Sequence, residues 1–333
     1  MKHSTIAGLF SGLLLLGPVG APAPAADYPP VPGYAGDSSQ WGRHIQRTMG
    51  LLAESRPDRR EAVTILFYGQ SIIGGQWHVW VERELRERYP HADLTVVNLA
   101  LGGYSAVRLV KTVEQDVLVT QPDLVVFHVY GHHVKYDEII GIIRRRTAAE
   151  VMIMTDHWGA KSQRADGTFK FGGWSKFMDN YVPEVAKKYE CELVDVRWPW
   201  KAYIEAHELK AGDLLKDGVH LNDHGSWLMA QLALRQMVYE PERMTDTSRG
   251  LATTLTVGDE GDLQWDGRTL EIEFEGSRVD LLRSHAFIGL QDPLSAVEAL
   301  KEELRYTPDS APAREMLEKL KELLERHQNT PCG

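Results

Sequence analysis

Apolar residues fall into two alternating rhythms between residues 62 and 238. Short, nearly unbroken apolar runs read as buried strands: AVTILFY (62–68), LTVVNLA (94–100), DLVVFHVY (123–130), EVMIMTDH (150–157) and CELVDV (191–196). Between them, residues 77–89, 106–119, 136–147, 174–188 and 224–238 repeat apolar positions every three or four residues, as helices with one buried face do. Asn222 or Asp223 is placed to cap the last of these, and an earlier helix is expected over 40–53. Strands apolar on both faces and joined by helices predict a parallel sheet covered on both sides, an α/β fold.

Past residue 240 the rhythm changes. Residues 251–282 read as three short strands broken by Gly and Asp, and 292–326 as a helix–turn–helix. The expected organisation is a leader over 1–26, a main domain over 27–240, a small β-rich segment over 241–290 and a C-terminal helical hairpin over 291–333. The leader has Lys2 and His3, then an apolar run from Ile6 to Leu16, then small residues from Ala21 to Ala26. That is the layout of a secretory signal, and the run is too short to span a membrane. A secreted or periplasmic protein starting near Asp27 is expected.

Charge and cysteine content narrow the functions. A formal net charge of −10 argues against a nucleic-acid partner, which needs a basic face, and against adsorption to anionic membranes. It leaves neutral or weakly charged substrates open. Only Cys191, in a strand, and Cys332, at the extreme end, are present, so stability is expected from packing rather than a disulfide. Nothing in the sequence indicates an oligomeric state.

The segments after the strands hold the candidate chemistry. Ser71, in GQS, follows the first strand and Gly102-Gly103 the second. YGHH (130–133) follows the third, TDH (155–157) the fourth, and DGVH (217–220) precedes the last helix. Ligands of such sheets bind beyond the carboxyl ends of the strands. Acyl transfer needs a hydroxyl nucleophile, an imidazole to take its proton, a carboxylate to hold the imidazole, and donors for the oxyanion. Singly, each residue has a plainer reading: Ser71 as a helix cap, Asp217-Gly218 as a turn, His220 as a solvent-facing side chain. Together, in these loops, Ser71, His220 and Asp217 point to a catalytic triad.

The arrangement resembles the SGNH (GDSL) hydrolase superfamily over about residues 60–240. Ser71 matches the nucleophile, with Gln70 where the family carries aspartate. Asn98 and Gly103 are in register with the second block, and Asp217 and His220 match the Asp-x-x-His block. The resemblance implies a flavodoxin-like three-layer α/β/α sandwich with a central five-stranded parallel sheet, and serine esterase chemistry without cofactor or metal. The third block departs: Gly131-His132-His133-Val134 lacks the oxyanion asparagine, so either His133 takes its place beside the N–H groups of Ser71 and Gly103, or those two N–H groups hold the oxyanion alone.

Within the superfamily the chain is most similar to carbohydrate acetylesterases, which implies a small-molecule or polysaccharide ester as substrate. Gln70, His132, His157 and Trp158 are the expected substrate contacts, with the Gly-rich stretch 159–173 beside them. Trp77, Trp158, Trp174, Trp198 and Trp200 suit sugar stacking, although at least half are expected in the core. Three alternatives stand beside this one. They are a lipase or general short-chain esterase, a metal-dependent hydrolase built on His128, His132, His133, Asp156 and His157, and a carbohydrate-binding protein that has lost catalysis.

Overall fold

The five apolar runs become five parallel strands, β1 (Ala62–Gly69), β2 (Asp93–Ala100), β3 (Leu124–His128), β4 (Glu150–Met154) and β5 (Glu192–Val194), in the order β2-β1-β3-β4-β5. This is the flavodoxin-like strand order, and it makes the structure an α/β fold. The computed structural model describes residues 28–34, 36–251, 263–265 and 270–272. The leader (1–26) and the C-terminal helical hairpin (291–333) lie outside the described residues. Of the expected β-rich segment, 241–251 instead form short helical turns at Pro241–Arg243 and Asp246–Gly250, and Leu263–Trp265 and Leu270–Ile272 are described as an antiparallel pair.

The helices are α1 (Gln46–Glu54), α2 (Trp77–Arg88), α3 (Ala106–Leu109), α4 (Val113–Thr120), α5 (His133–Arg146), α6 (Gly173–Lys176), α7 (Val182–Lys188), α8 (Arg197–Ala206), α9 (Asp223–Leu234) and α10 (Asp246–Gly250). They cover a sheet whose side chains alternate between two apolar layers. Val63, Ile65 and Phe67 of β1 face a core shared with Trp77, Trp200 and Leu228. Leu66 and Tyr68 face the opposite core with Phe127, Tyr136 and Ile140. Burying one such side chain contributes about 1.5–3 kcal/mol, so the sheet's register is held from both sides.

Local departures from the sequence pattern have identifiable causes. The helix expected over 106–119 breaks into α3 and α4, because Lys111 and Thr112 donate to the carbonyls of Arg108 and Leu109, three residues back, tightening the turn. α8 was not anticipated: Pro199 falls in its first turn, where the missing N–H costs no helical bond. α1 starts at Gln46 instead of 40. Ahead of it and through its first turn the backbone is held by two buried glutamates that open the last two strands. Glu192 accepts the N–H groups of Gly42 at 2.8 Å and His44 at 3.0 Å, and Glu150 those of Arg47 at 3.1 Å and Thr48 at 2.8 Å. Burial pushes the Glu192 carboxyl up to about 7 and raises that of Glu150 as well.

Candidate active site

β1 ends where β3 lies alongside it, at the point where the strand order reverses. Gly69 closes the strand at φ +152°, and a Cβ there would sit 2.0 Å from the His128 carbonyl oxygen, so only glycine fits. The chain then bends through Gln70 and Ser71. α2 does not begin until Trp77, with Gln76 as its N-cap, so Ser71 caps no helix. Gln70 turns inward and is buried; its Oε1 accepts the Ile72 N–H at 3.1 Å and the Ser71 hydroxyl at 2.7 Å.

The partner loop is a tight hairpin. Lys216 donates its N–H to the His220 carbonyl at 2.9 Å, with Gly218 at φ +85° in between. Asp217 Oδ1 accepts the N–H groups of His220 at 2.8 Å and Val219 at 3.1 Å. The His220 bonds, then the Val219 N–H, hold the Asp217 carboxyl well below its usual range, at about 2. Its Oδ2 lies 2.7 Å from His220 Nδ1, and His220 Nε2 lies 3.0 Å from Ser71 Oγ. An ionised carboxylate only accepts, so Nδ1 carries the proton and Nε2 is left as a base facing the hydroxyl. The Ser71 hydroxyl, with one proton, thus has two acceptors, Gln70 Oε1 and His220 Nε2.

The loops after β1 and β2 are joined by the Leu101 N–H donating to the Gly69 carbonyl at 2.8 Å. Among the described residues, the N–H groups of Ser71 and Gly103 bond no protein acceptor, which leaves both available to an oxyanion. Asn98 supports this corner: its Nδ2 donates to the Ile73 carbonyl at 2.9 Å and its Oδ1 accepts the Ala100 N–H at 3.1 Å. Beside the hairpin opens a cavity of about 500 Å³, walled by Asp217, Gly218 and Val219 on one side and by the 159–173 stretch on the other. The Ala160 N–H joins these walls by donating to the Gly218 carbonyl at 2.9 Å.

Residues 66–228 match the family model described as GDSL-like lipase/acylhydrolase. These residues form an SGNH hydrolase domain. The family's members are ester hydrolases, and the hydroxyl, imidazole and carboxylate described above lie within the matched span. Solved structures similar to the hydrolase include an acetyl xylan esterase with 23% identity over 53% of this chain and 100% of that one, TM-score 0.46. They also include the acetylxylan esterase of Geobacillus stearothermophilus, with 20% identity, 55% and 97% coverage and TM-score 0.44. A third is a GDSL-like lipase of Parabacteroides merdae, with 16% identity, 53% and 95% coverage and TM-score 0.46. No curated protein matches the chain.

Several residues expected at the hydrolase's cleft have other surroundings. The His133 ring packs edge-on against Phe177 and Tyr181, with centroids 5.0 and 4.3 Å away, and forms no hydrogen bond to Ser71 or His220. His132 is exposed and precedes α5. Gln70 faces the interior instead of substrate. Trp158 lines the cavity while almost fully buried: Arg197 lies 4.0 Å over its ring, and its indole N–H donates to the Arg197 carbonyl. Arg197 itself, unremarked in the sequence, is buried and pairs with Asp156 and Asp179. Of the five tryptophans singled out, Trp77, Trp158 and Trp200 are buried, whereas Trp174 and Trp198 stay 53% and 45% exposed.

His157, expected to touch substrate, lines the cavity and also braces the hydrolase's base loop, its Nε2–H donating to the Val219 carbonyl at 2.7 Å. Burial pushes its imidazole down to about 4, and that of His128 likewise. His128 makes its one side-chain hydrogen bond to the Met154 carbonyl, at 3.3 Å, packs edge-on against Tyr130, and its Nε2 has no hydrogen-bond partner. Among the described residues no three His, Cys, Asp or Glu side chains converge as a metal site would require. The depressed pKa of His128 has a consequence for stability. A depressed folded-state value makes its contribution complete above the unfolded value near 6.5 and lost as pH falls toward 4. His128→Phe removes that liability. Relative to the parent, the variant is expected to gain about 2–3 kcal/mol between pH 7.5 and 4.5. Urea unfolding at both pH values measures it, and a constant difference would refute it.

Proposed function

We propose that the protein is an exported serine acetylesterase that removes acetyl groups from a carbohydrate. One observation carries the chemistry: Ser71 Oγ, His220 Nε2, His220 Nδ1 and Asp217 Oδ2 form one relay with gaps of 3.0 and 2.7 Å. His220 takes the Ser71 proton as the hydroxyl attacks the ester carbonyl, and Asp217 stabilises the imidazolium that forms. The N–H groups of Ser71 and Gly103 receive the oxyanion. His220 then returns the proton to the leaving sugar hydroxyl, and water, deprotonated by the same imidazole, releases acetate.

Support for a carbohydrate comes from the aromatic residues left open near the cleft. Phe171 and Trp198, 60% and 45% exposed, stack on each other with centroids 5.8 Å apart. Trp174, also exposed, forms part of the cavity wall. Aromatic faces of this kind suit sugar rings. The polar and apolar arrangement of the leader supports export. The test compares acetate released from acetylated xylan and related polymers with hydrolysis of aryl esters of rising chain length. Acetate release, with aryl ester rates falling steeply beyond acetyl, is the expected result. Rates rising with chain length would turn the assignment to a lipase.

A further inference from the structure

The acidic chain carries a basic patch beside its cleft. Between Gly159 and Lys176 there are four basic residues, Lys161, Arg164, Lys170 and Lys176, against the single acidic Asp166, within a protein of net charge −10. This stretch is folded into a wall. The Lys170 N–H donates to the Ser162 carbonyl at 2.7 Å, and the Arg164 N–H to the Thr168 carbonyl at 2.7 Å, closing a hairpin. Lys161 and Lys170 both face the 500 Å³ cavity that shares Asp217, Gly218 and Val219 with the triad loop.

The charges on that cavity wall are unevenly matched. Asp156 is bound to Arg197, and Asp217 to His220. Among the described residues, Lys161 and Lys170 are exposed and pair with no carboxylate. An acidic surface repels a polyanion, and two unpaired ammonium groups on the cavity wall reverse that locally. Lysine is a point charge that accepts any oxyanion geometry, and exposed Trp174 beside it offers a ring to stack on. We infer that this cavity is a subsite for an anionic sugar, a unit bearing a carboxylate or a sulfate, next to the sugar that carries the acetyl group. The inference rests on the esterase reading and names its substrate class. It replaces the neutral substrate suggested by overall charge.

The experiment uses the full chain and the double variant Lys161→Gln/Lys170→Gln. Calorimetry at low salt measures binding of unacetylated oligogalacturonate, a sulfated galactan oligosaccharide and neutral xylo-oligosaccharide. Two exposed ion pairs are together worth about a tenfold change in Kd. At least one anionic oligosaccharide is expected to bind more tightly than the neutral one, to weaken about tenfold in the double variant, and to weaken in the parent as salt rises. Whichever anion binds more tightly identifies the group. The ratio of kcat/KM on acetylated acidic over acetylated neutral oligosaccharides should fall by the same factor in the double variant. Binding that ignores anionic charge, or is equal in parent and variant, overturns the subsite. Absence of any acetyl ester turnover would instead overturn the esterase reading, and calorimetry would still decide the subsite.

Discussion

Replacing Ser71 with alanine is expected to lower kcat on an aryl acetate by about 10⁴- to 10⁶-fold, the loss seen when a serine nucleophile is removed from a triad. The fold should be unaffected. Gln70 Oε1 keeps its bond from the Ile72 N–H, and His220 keeps its bond to Asp217, so no buried polar group loses its last partner. Steady-state kinetics and a urea midpoint on the same preparations provide the check. A variant as active as the parent would mean that the relay is not the catalytic device. An unfolded one would mean that the hydroxyl has a structural role which its contacts do not reveal.

Asp217→Asn is expected to cost about 10³- to 10⁴-fold in kcat, and to be at least as damaging as Asp217→Ala. The reason is local. Two backbone N–H groups, from Val219 and His220, grip Oδ1, so the amide of an asparagine must place its oxygen there. Its NH₂ then faces His220 Nδ1, which can only accept it, and the ring proton moves to Nε2. The imidazole that faced Ser71 as a base now faces it as a donor. Alanine leaves the imidazole free to choose its tautomer and admits water to Nδ1, since the side chains of Asp217 and His220 are 51% and 38% exposed. A ring-nitrogen NMR shift distinguishes the tautomers in the two variants. Asparagine outperforming alanine would contradict the argument.

Much of this architecture was legible in the sequence because buried parallel strands have no polar face to hide. Five runs such as AVTILFY and DLVVFHVY can do little else, and the loops that follow them must share one edge. Ser71 was visible because it lies immediately after a recognisable strand, and Asp217 and His220 because they lie just before a recognisable helix. What depended on side-chain direction was not. Whether Gln70 faces substrate or interior turns on a bend that Gly69 imposes, and the resemblance alone placed it at the cleft. His157 and Trp158 follow β4 as Tyr130 follows β3, yet one supports a loop and the other is covered by Arg197, a residue distant in sequence. Trp198 and Trp200 are two positions apart on α8, one exposed and one buried, a difference set by which face of that helix meets the sheet. His133 was assigned by alignment to an asparagine, and its neighbours Phe177 and Tyr181 come from the π-helical turn Phe177–Tyr181 between α6 and α7, whose docking the pattern does not disclose.

The two glutamates that open β4 and β5 bear on the order in which the domain is assembled. Residues 42–48 emerge from the ribosome early, yet the amides of Gly42, His44, Arg47 and Thr48 find their acceptors on Glu150 and Glu192, and the Gln46 side chain bonds the carbonyl of Val238. The first helix must wait for nearly the last strand, a closure of high contact order that comes late and slowly. A nascent chain would therefore stay open at its amino end until synthesis of the domain is almost complete, and only then lock.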